Sequence, residues 1–528
     1  MLIEIQTNAS QSGKTFIHFW DVCVGAGRAG EGLRAAWQDQ LRTVVKECGF
    51  RYLRFHGLYH DDMFVYREIE GRVVYNFQYV DELFDKLLEI GIRPFVEFGF
   101  CPSDLATEKE TVFWWKAHGA PPKDFSKWAE LIDKTVRHWI ARYGIDEVRR
   151  WYFEVWNEPN LWPFFHGTKS QYFELYKVTA RTLKAVDAQL RVGGPATSNF
   201  VPDARFDGET EDKSCQTATY AATDIDALNW RPIWVESFLK FCAENQLPVD
   251  FVSAHPYPTD WALDEHGTGR RLARGVGATP RDLALLRSIV TTSPYPNAEI
   301  HLTEWSTSPS PRDFTHDTLH AAAYVVKANL ESIGLVDSLA YWTFTDIFEE
   351  TGAGDTIFHG GFGMINFQGI VKPVFHIYRF LNRLGNQCLE QGNGFIVTKC
   401  SDTGNLVGLA YHYPPELMRA APGSFRAGPP EAAAKALRGC QPVELRLEWT
   451  GLAPNAPIMV ETLDAENGNA LAAWSAMGQP DAPSREQIAL LRKAALATGK
   501  EFLSADEAGR FVLNRSMSPC SVVLITQN

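Results

Sequence analysis

The chain has 528 residues, more than one ordinary core organises, so its length alone predicts two domains. Hydrophobic content of 45% with 22% charged residues is that of a globular protein, and a net charge of −13 argues against nucleic acid or a membrane surface as partner and for a small neutral one. Nine scattered cysteines without C-x-x-C spacing, no membrane-length apolar stretch and a start, MLIEIQTNAS, unlike a signal peptide lead to the expectation of reduced thiols and a cytoplasmic location.

Residues 1–13 offer one strand, 3–9. From there to about residue 345, β-rich runs alternate with helical stretches. The runs are KTFIHF (14–19), RYLRFHG (51–57), RPFVEFG (93–99), WYFEVWNEP (151–159), RVGGPAT (191–197), DFVSAHPYP (250–258), EIHLTEW (299–305) and SLAYWTF (338–344). Between them, apolar residues three and four apart predict helices in LRAAWQDQLRTVVKEC, VDELFDKLLEIG, FSKWAELIDKTVRHWIARYG, QYFELYKVTARTLKAVD, WVESFLKFCAEN and DTLHAAAYVVKANLESIG. Eight strand–helix units in series predict a (β/α)8 TIM barrel, and no P-loop favours a nucleotide fold. Long polar segments at 198–232 and 259–280 read as walls or lids of the active face. Beyond 380, strand-like runs separated by turns predict a β-sandwich, interrupted by a Pro/Ala/Gly-rich insertion at 414–440 and one helix in SREQIALLRKAALATG. The expected division is a barrel over 14–375 and a sandwich over 1–13 and 376–528.

Two strand ends carry reactive-looking acids. Asn157 and Glu158 close the fourth run before Pro159, and Glu304 closes the seventh. In a parallel barrel both ends open on the C-terminal face, where catalytic groups collect. Two carboxyls across a cleft are what cleavage of a glycosidic bond needs, one to protonate the departing oxygen and one to stabilise or capture the anomeric carbon. The 12% of aromatic residues, 16 Trp among them, suits sugar rings as well as an ordinary core. Alternation in RYLRFHG puts Arg54 and His56 on one face. Arg54 needs an anion there, and Glu304 or Glu154 would serve. His56 reads either as a hydroxyl ligand or as a satisfied barrel histidine. Asn157 is either a donor to a sugar 2-hydroxyl or a turn residue before the proline. Trp342, ending the eighth run, is a candidate floor for a sugar or plain core. Trp114, Trp115, Phe164 and Phe165 read as core aromatics before an aglycone wall.

At these residues the chain resembles glycoside hydrolase family 39. RFHGLYHDDM, FEVWNEPN, SAHPYP, LTEWS, WTFTDIFEE and FHGGFGMI match that family's motifs in order, with WNEP alone marking only its larger clan of barrel glycosidases. The resemblance implies a retaining β-xylosidase acting on short xylo-oligosaccharides, with Glu158 as acid/base and Glu304 as nucleophile. It places His255 and Tyr257 around the nucleophile, makes Glu349 and Glu350 ligands of sugar hydroxyls, puts Phe358, His359 and Gly360 in the wall, and implies no metal and no organic cofactor. Retention demands carboxyls about 5–5.5 Å apart. An α-L-iduronidase or arabinosidase activity and a non-catalytic carbohydrate-binding role are the alternatives. The first needs cations for a uronate, for which Arg270 and Arg271 are at hand, and the last needs no opposed pair of acids. Oligomeric state is not legible in the sequence.

Overall fold

The computed structural model describes residues 2–202, 211–214, 224–263, 269–417 and 437–528. Eight parallel strands close into a barrel in chain order: β1 (Cys23–Arg28), β2 (Tyr52–His56), β3 (Arg93–Phe98), β4 (Tyr152–Val155), β5 (Arg191–Thr197), β6 (Phe251–Ala254), β7 (Glu299–Trp305) and β8 (Ser338–Tyr341). All six helices expected from the apolar spacing are present between them. The helix Phe125–Tyr143 shows why: Trp128, Leu131, Ile132, Thr135, Val136 and Trp139 form one buried stripe. Thr168 starts the helix Lys169–Val186 with a capping box to Gln171.

The first run is a correction. Lys14–Phe19 is not a barrel strand: Lys14 and Thr15 pair with Cys388 and Gln387 in the second sheet system, and the first barrel strand is CVGAGR, 23–28. All six of those residues are buried, yet two are glycines and the rest supply little β-branched bulk, so strand propensity understates them. Among the described residues, the helices Ala278–Thr292 and Pro373–Leu381 are not marked by spacing, nor are the short Ile145–Val148 and, in the sandwich, Ala470–Ala476. Pro373–Leu381 is nine residues long, too short for apolar spacing to declare a period.

The remaining strands form a seven-stranded sheet, ordered Lys14–Thr15, Gln387–Gly392, Phe395–Lys399, Leu406–Tyr411, Val522–Gln527, Pro457–Leu463, Gly499–Ser504. A three-stranded sheet of Leu2–Asn8, Val443–Thr450 and Phe511–Met517 faces it. Leu2–Asn8 alternates exposed and buried positions and lies parallel to Val443–Thr450. Ile3, Ile5, Val397, Leu445, Leu447, Trp449, Val460 and Ile525 fill the space between the sheets.

Of the expected long segments, 259–280 contains a two-stranded antiparallel hairpin, Thr259–Leu263 with Gly269–Ala273. Residues 203–210 and 215–223 of the 198–232 segment, and 418–436 of the 414–440 insertion, lie outside the described residues, as do Cys215 and the side chains of Arg270 and Arg271. Among the described residues no helix is long and apolar enough to cross a membrane.

Candidate active site

The barrel interior is layered, because inward-facing residues recur every second position along a strand. At the bottom, Phe95 of β3, Tyr152 of β4, Phe251 of β6 and His301 of β7 form an aromatic plug, with ring centroids 4.8 Å apart for Phe95–Tyr152 and Tyr152–His301 and 5.4 Å for Phe95–Phe251. Two residues further along each strand the lining turns polar, with Glu97, Glu154, Ser253 and Thr303. Arg54 of β2 joins them, wholly buried. Another step reaches the mouth, where His56, His255 and Trp342 follow their strands' inner faces.

Arg54 organises the polar layer. Its Nε donates to Glu154 Oε2 at 2.7 Å, and its Nη2 donates to Asn157 Oδ1 at 2.8 Å and pairs with Glu97 Oε2 at 2.9 Å. Its Nη1 lies 3.4 Å from Glu304 Oε2. Glu154 and Glu304 thus both satisfy the arginine. Glu97 also meets His56 Nδ1 at 2.6 Å, which fixes that ring.

The two strand-end acids are brought together. One carboxylate oxygen of Glu158, one of Glu304 and a ring nitrogen of His255 all lie within 4.8 Å of one another. Glu304 reaches the cleft through an irregularity. Between Leu302 and Trp305, β7 spends three residues against two of β8, so the neighbours Thr303 and Glu304 both meet interior groups. Glu158 sits in a tight turn with φ 45°, its backbone N–H donating to Ala196 O at 2.8 Å.

The surroundings of the two acids differ. Glu304 Oε1 accepts from the Tyr257 hydroxyl at 2.7 Å, and Oε2 faces Arg54 and, at 3.9 Å, His56 Nε2. Glu158 Oε1 lies 3.0 Å from His255 Nδ1. Burial pushes both carboxyls up. For Glu158 the Glu304 charge adds to burial and carries it well above the usual range, whereas Arg54, His56 and the Tyr257 hydrogen bond counter burial at Glu304. The proton therefore belongs on Glu158.

The other expected site residues divide. Trp342 is 1% exposed, with its ring 4.9 Å from that of His56 and backed by Phe348 and Phe362. Glu350 enters the cleft, 3.7 Å from His56 Nε2, and burial with the charges of Glu304 and Glu31 holds its carboxyl well above the ordinary value. Glu349 is held elsewhere, pairing with Arg28 at 3.0 Å and Arg34 at 2.5 Å. Phe358 packs against Trp474 at 5.2 Å, and His359 Nδ1 lies 3.1 Å from Thr356 O. Gly360 donates its N–H to Asp317 at 2.7 Å. Trp115 and Phe165 are core, while Trp114 is 63% exposed at the rim.

Glu97, Thr303, Arg28 and Glu31 went unnoticed in the sequence. For Glu97 and Thr303 the signal was present, a polar residue two after an aromatic or histidine in FVE, HLT and, on β4, YFE. Glu31 had none. Burial pushes its carboxyl up to about 8, and it accepts from the Glu349 N–H at 2.8 Å and the Arg28 N–H at 3.2 Å, bracing the loop that carries Glu350.

A beta-xylosidase of Geobacillus stearothermophilus is 37% identical over 495 residues, spanning 92% of this chain and 88% of its own. The GH39 enzyme from Xanthomonas axonopodis pv. citri superposes with a TM-score of 0.84 at 34% identity, covering 100% of this chain and 98% of that one. A monomeric beta-xylosidase from Caulobacter crescentus gives 0.83 at 32%, covering 99% of each. The family model for glycosyl hydrolases family 39 matches residues 1–216 and 224–510, and with the barrel, the paired strand-end acids and these relatives in agreement, the chain belongs to that family.

Proposed function

We propose that this family 39 chain is an exo-acting β-xylosidase that releases xylose from short xylo-oligosaccharides with retention. The observation that carries the reading is the approach of Glu158 and Glu304, whose carboxylate oxygens come within 4.8 Å. Inversion needs room for a water between the acids, about 6.5–9.5 Å, whereas direct attack needs about 5–5.5 Å.

In the first step Glu158 gives its proton to the glycosidic oxygen, the C1–O bond breaks and Glu304 forms the ester bond to C1. Once Glu304 is esterified, its charge no longer raises the Glu158 carboxyl, which then takes a proton from water as that oxygen attacks C1 and Glu304 leaves as carboxylate. Asn157, its carbonyl committed to Arg54, presents its NH2 to the sugar 2-hydroxyl. Glu350 accepts from sugar hydroxyls, and Trp342 floors the ring. Exo action is supported by closure at one end, where Trp114 N–H donates to Glu350 O at 2.7 Å and ties the loop after β3 to that after β8. The cations described around the cluster are already neutralised, Arg54 by three carboxylates and Arg28 by Asp62 and Glu349, which favours a neutral glycone over a uronate.

The test is hydrolysis of aryl β-xyloside, α-iduronide and α-arabinofuranoside, with the anomer of the first product read by NMR. β-Xyloside should be preferred and β-xylose appear first. Glu304→Gly should abolish turnover, and Glu158→Ala should slow poor leaving groups by about 10²–10⁴-fold while sparing activated ones. Full activity in Glu304→Gly, or α-xylose as the first product, rejects the reading.

A further inference from the structure

Behind Glu158 runs a chain of hydrogen bonds whose direction is determined by its far end. Glu154, fully buried and paired with Arg54, can only accept. Thr303 Oγ1 lies 2.7 Å from Glu154 Oε1, so the single hydroxyl proton of Thr303 points there. The contact between Thr303 Oγ1 and His255 Nε2, 2.9 Å long, must then use the imidazole N–H. A neutral imidazole with its proton on Nε2 has a bare Nδ1, and Nδ1 is what faces Glu158 Oε1 at 3.0 Å. That contact is a hydrogen bond only when the carboxyl supplies the proton.

We propose that Thr303, acting through His255, is a positioning residue that locks the imidazole tautomer accepting from Glu158 and so keeps the acid in its protonated form between turnovers. The inference rests on Glu158 being the acid of the proposed function. Burial and the neighbouring Arg54 and His56 hold His255 well below its ordinary range, which keeps the ring neutral and the chain one-directional. The groups facing this pair are Arg54 and His56 from β2, Glu97 from β3, Glu154 from β4, Tyr257 after β6, Glu304 from β7 and Glu350 after β8. None of them offers Nε2 a second acceptor in place of Thr303. After the acid has given up its proton, the carboxylate faces a lone pair on Nδ1. That repulsion favours taking a proton back from the attacking water.

The test is the pH profile of kcat/KM on an aryl β-xyloside for Thr303→Val and Thr303→Ser. Valine removes the acceptor at Nε2, so the neutral ring moves its proton to Nδ1 and donates to the Glu158 carboxylate. The ionised acid is then favoured, and the alkaline limb should move about one pH unit toward acid. Serine should restore the wild-type limb. An unmoved limb in Thr303→Val, or the same displacement in Thr303→Ser, overturns the proposal. Should the valine variant fail to fold, 15N spectra of histidine-labelled wild-type protein decide, with His255 assigned by its loss in His255→Gln. A proton on Nε2 and a bare Nδ1 support the lock, and a proton on Nδ1 or on both nitrogens refutes it. Glu158→Ala run alongside separates the two readings: if it keeps full activity on poor leaving groups, the acid assignment falls, whereas a failure at Thr303 alone leaves that assignment standing.

Discussion

At position 25 a side chain has no room, because a Cβ built on Gly25 would sit 2.2 Å from Cε3 of Trp342. The glycine on β1 is thus the space into which the ring at the mouth of β8 settles, and Arg54 stacks over that ring with 5.8 Å from guanidinium carbon to centroid. Gly25→Ala should cost about 1–3 kcal/mol through overpacking, and because the ring must yield, KM for β-xylosides should rise several-fold. Urea denaturation and steady-state kinetics check both, and wild-type values in each would show that Trp342 has slack. At this scale the site was partly legible. Arg54 and His56 could be marked because strand alternation decides where their side chains point, and Glu158 and Glu304 because the strand ends of a parallel barrel open on one face. Where Glu349 and Phe358 turn could not be read, since one meets Arg28 and Arg34 and the other Trp474, partners more than a hundred residues away.

Among elements, the strands supply direction and the segment after β8 supplies the wall. That segment is pinned by Lys372, whose wholly buried ammonium lies 2.6 Å from Asp317 and 2.6 Å from Asp346 and donates to Gly361 O at 2.8 Å. Lys372→Met would leave two carboxylates buried beside a thioether. The expected loss is about 3–5 kcal/mol, read from the urea midpoint, with looser binding of substrate because Glu350 lies on the freed segment. A variant as stable as the parent would mean that water or another donor reaches the pair. The elements also show what period alone conveys. Helices with one apolar stripe and strands rich in branched or aromatic residues were readable, and with them the barrel. CVGAGR escapes such a reading because what it contributes is absence of bulk, and the helix Pro373–Leu381 because nine residues are too few for spacing to declare a period.

For the whole molecule the question is whether barrel and sandwich stand separately. The expected boundary at 375 falls inside the helix Pro373–Leu381, whose Tyr378 ring lies 5.7 Å from that of Tyr341 on β8, and the main apolar cluster joins Phe358 and Tyr378 to Ile396, Leu409, Leu463, Trp474 and Leu524. Polar ties cross the same boundary. Glu461, on the sandwich strand Pro457–Leu463, has a fully buried side chain and accepts from Arg379 at 2.6 Å and Arg383 at 3.0 Å. His376 Nε2 lies 2.7 Å from Ala495 O, and the Tyr413 hydroxyl lies 3.2 Å from His320 Nε2. A sandwich fixed in this way supports the back of the last barrel helix, and through Phe358 and Trp474 it also steadies the segment that carries Glu350. Unfolding should therefore be one transition, with xylosidase activity and the sandwich's β-sheet signal lost at the same denaturant concentration. Glu461→Ala leaves two arginines facing a void, one of them 14% exposed and the other 29%, so the cost should fall near the lower end for a broken buried pair, about 3 kcal/mol. If the two signals instead separate in the variant, with sheet structure lost first and activity persisting, the barrel does not depend on the sandwich, and the contacts across the boundary serve only to hold the two parts together.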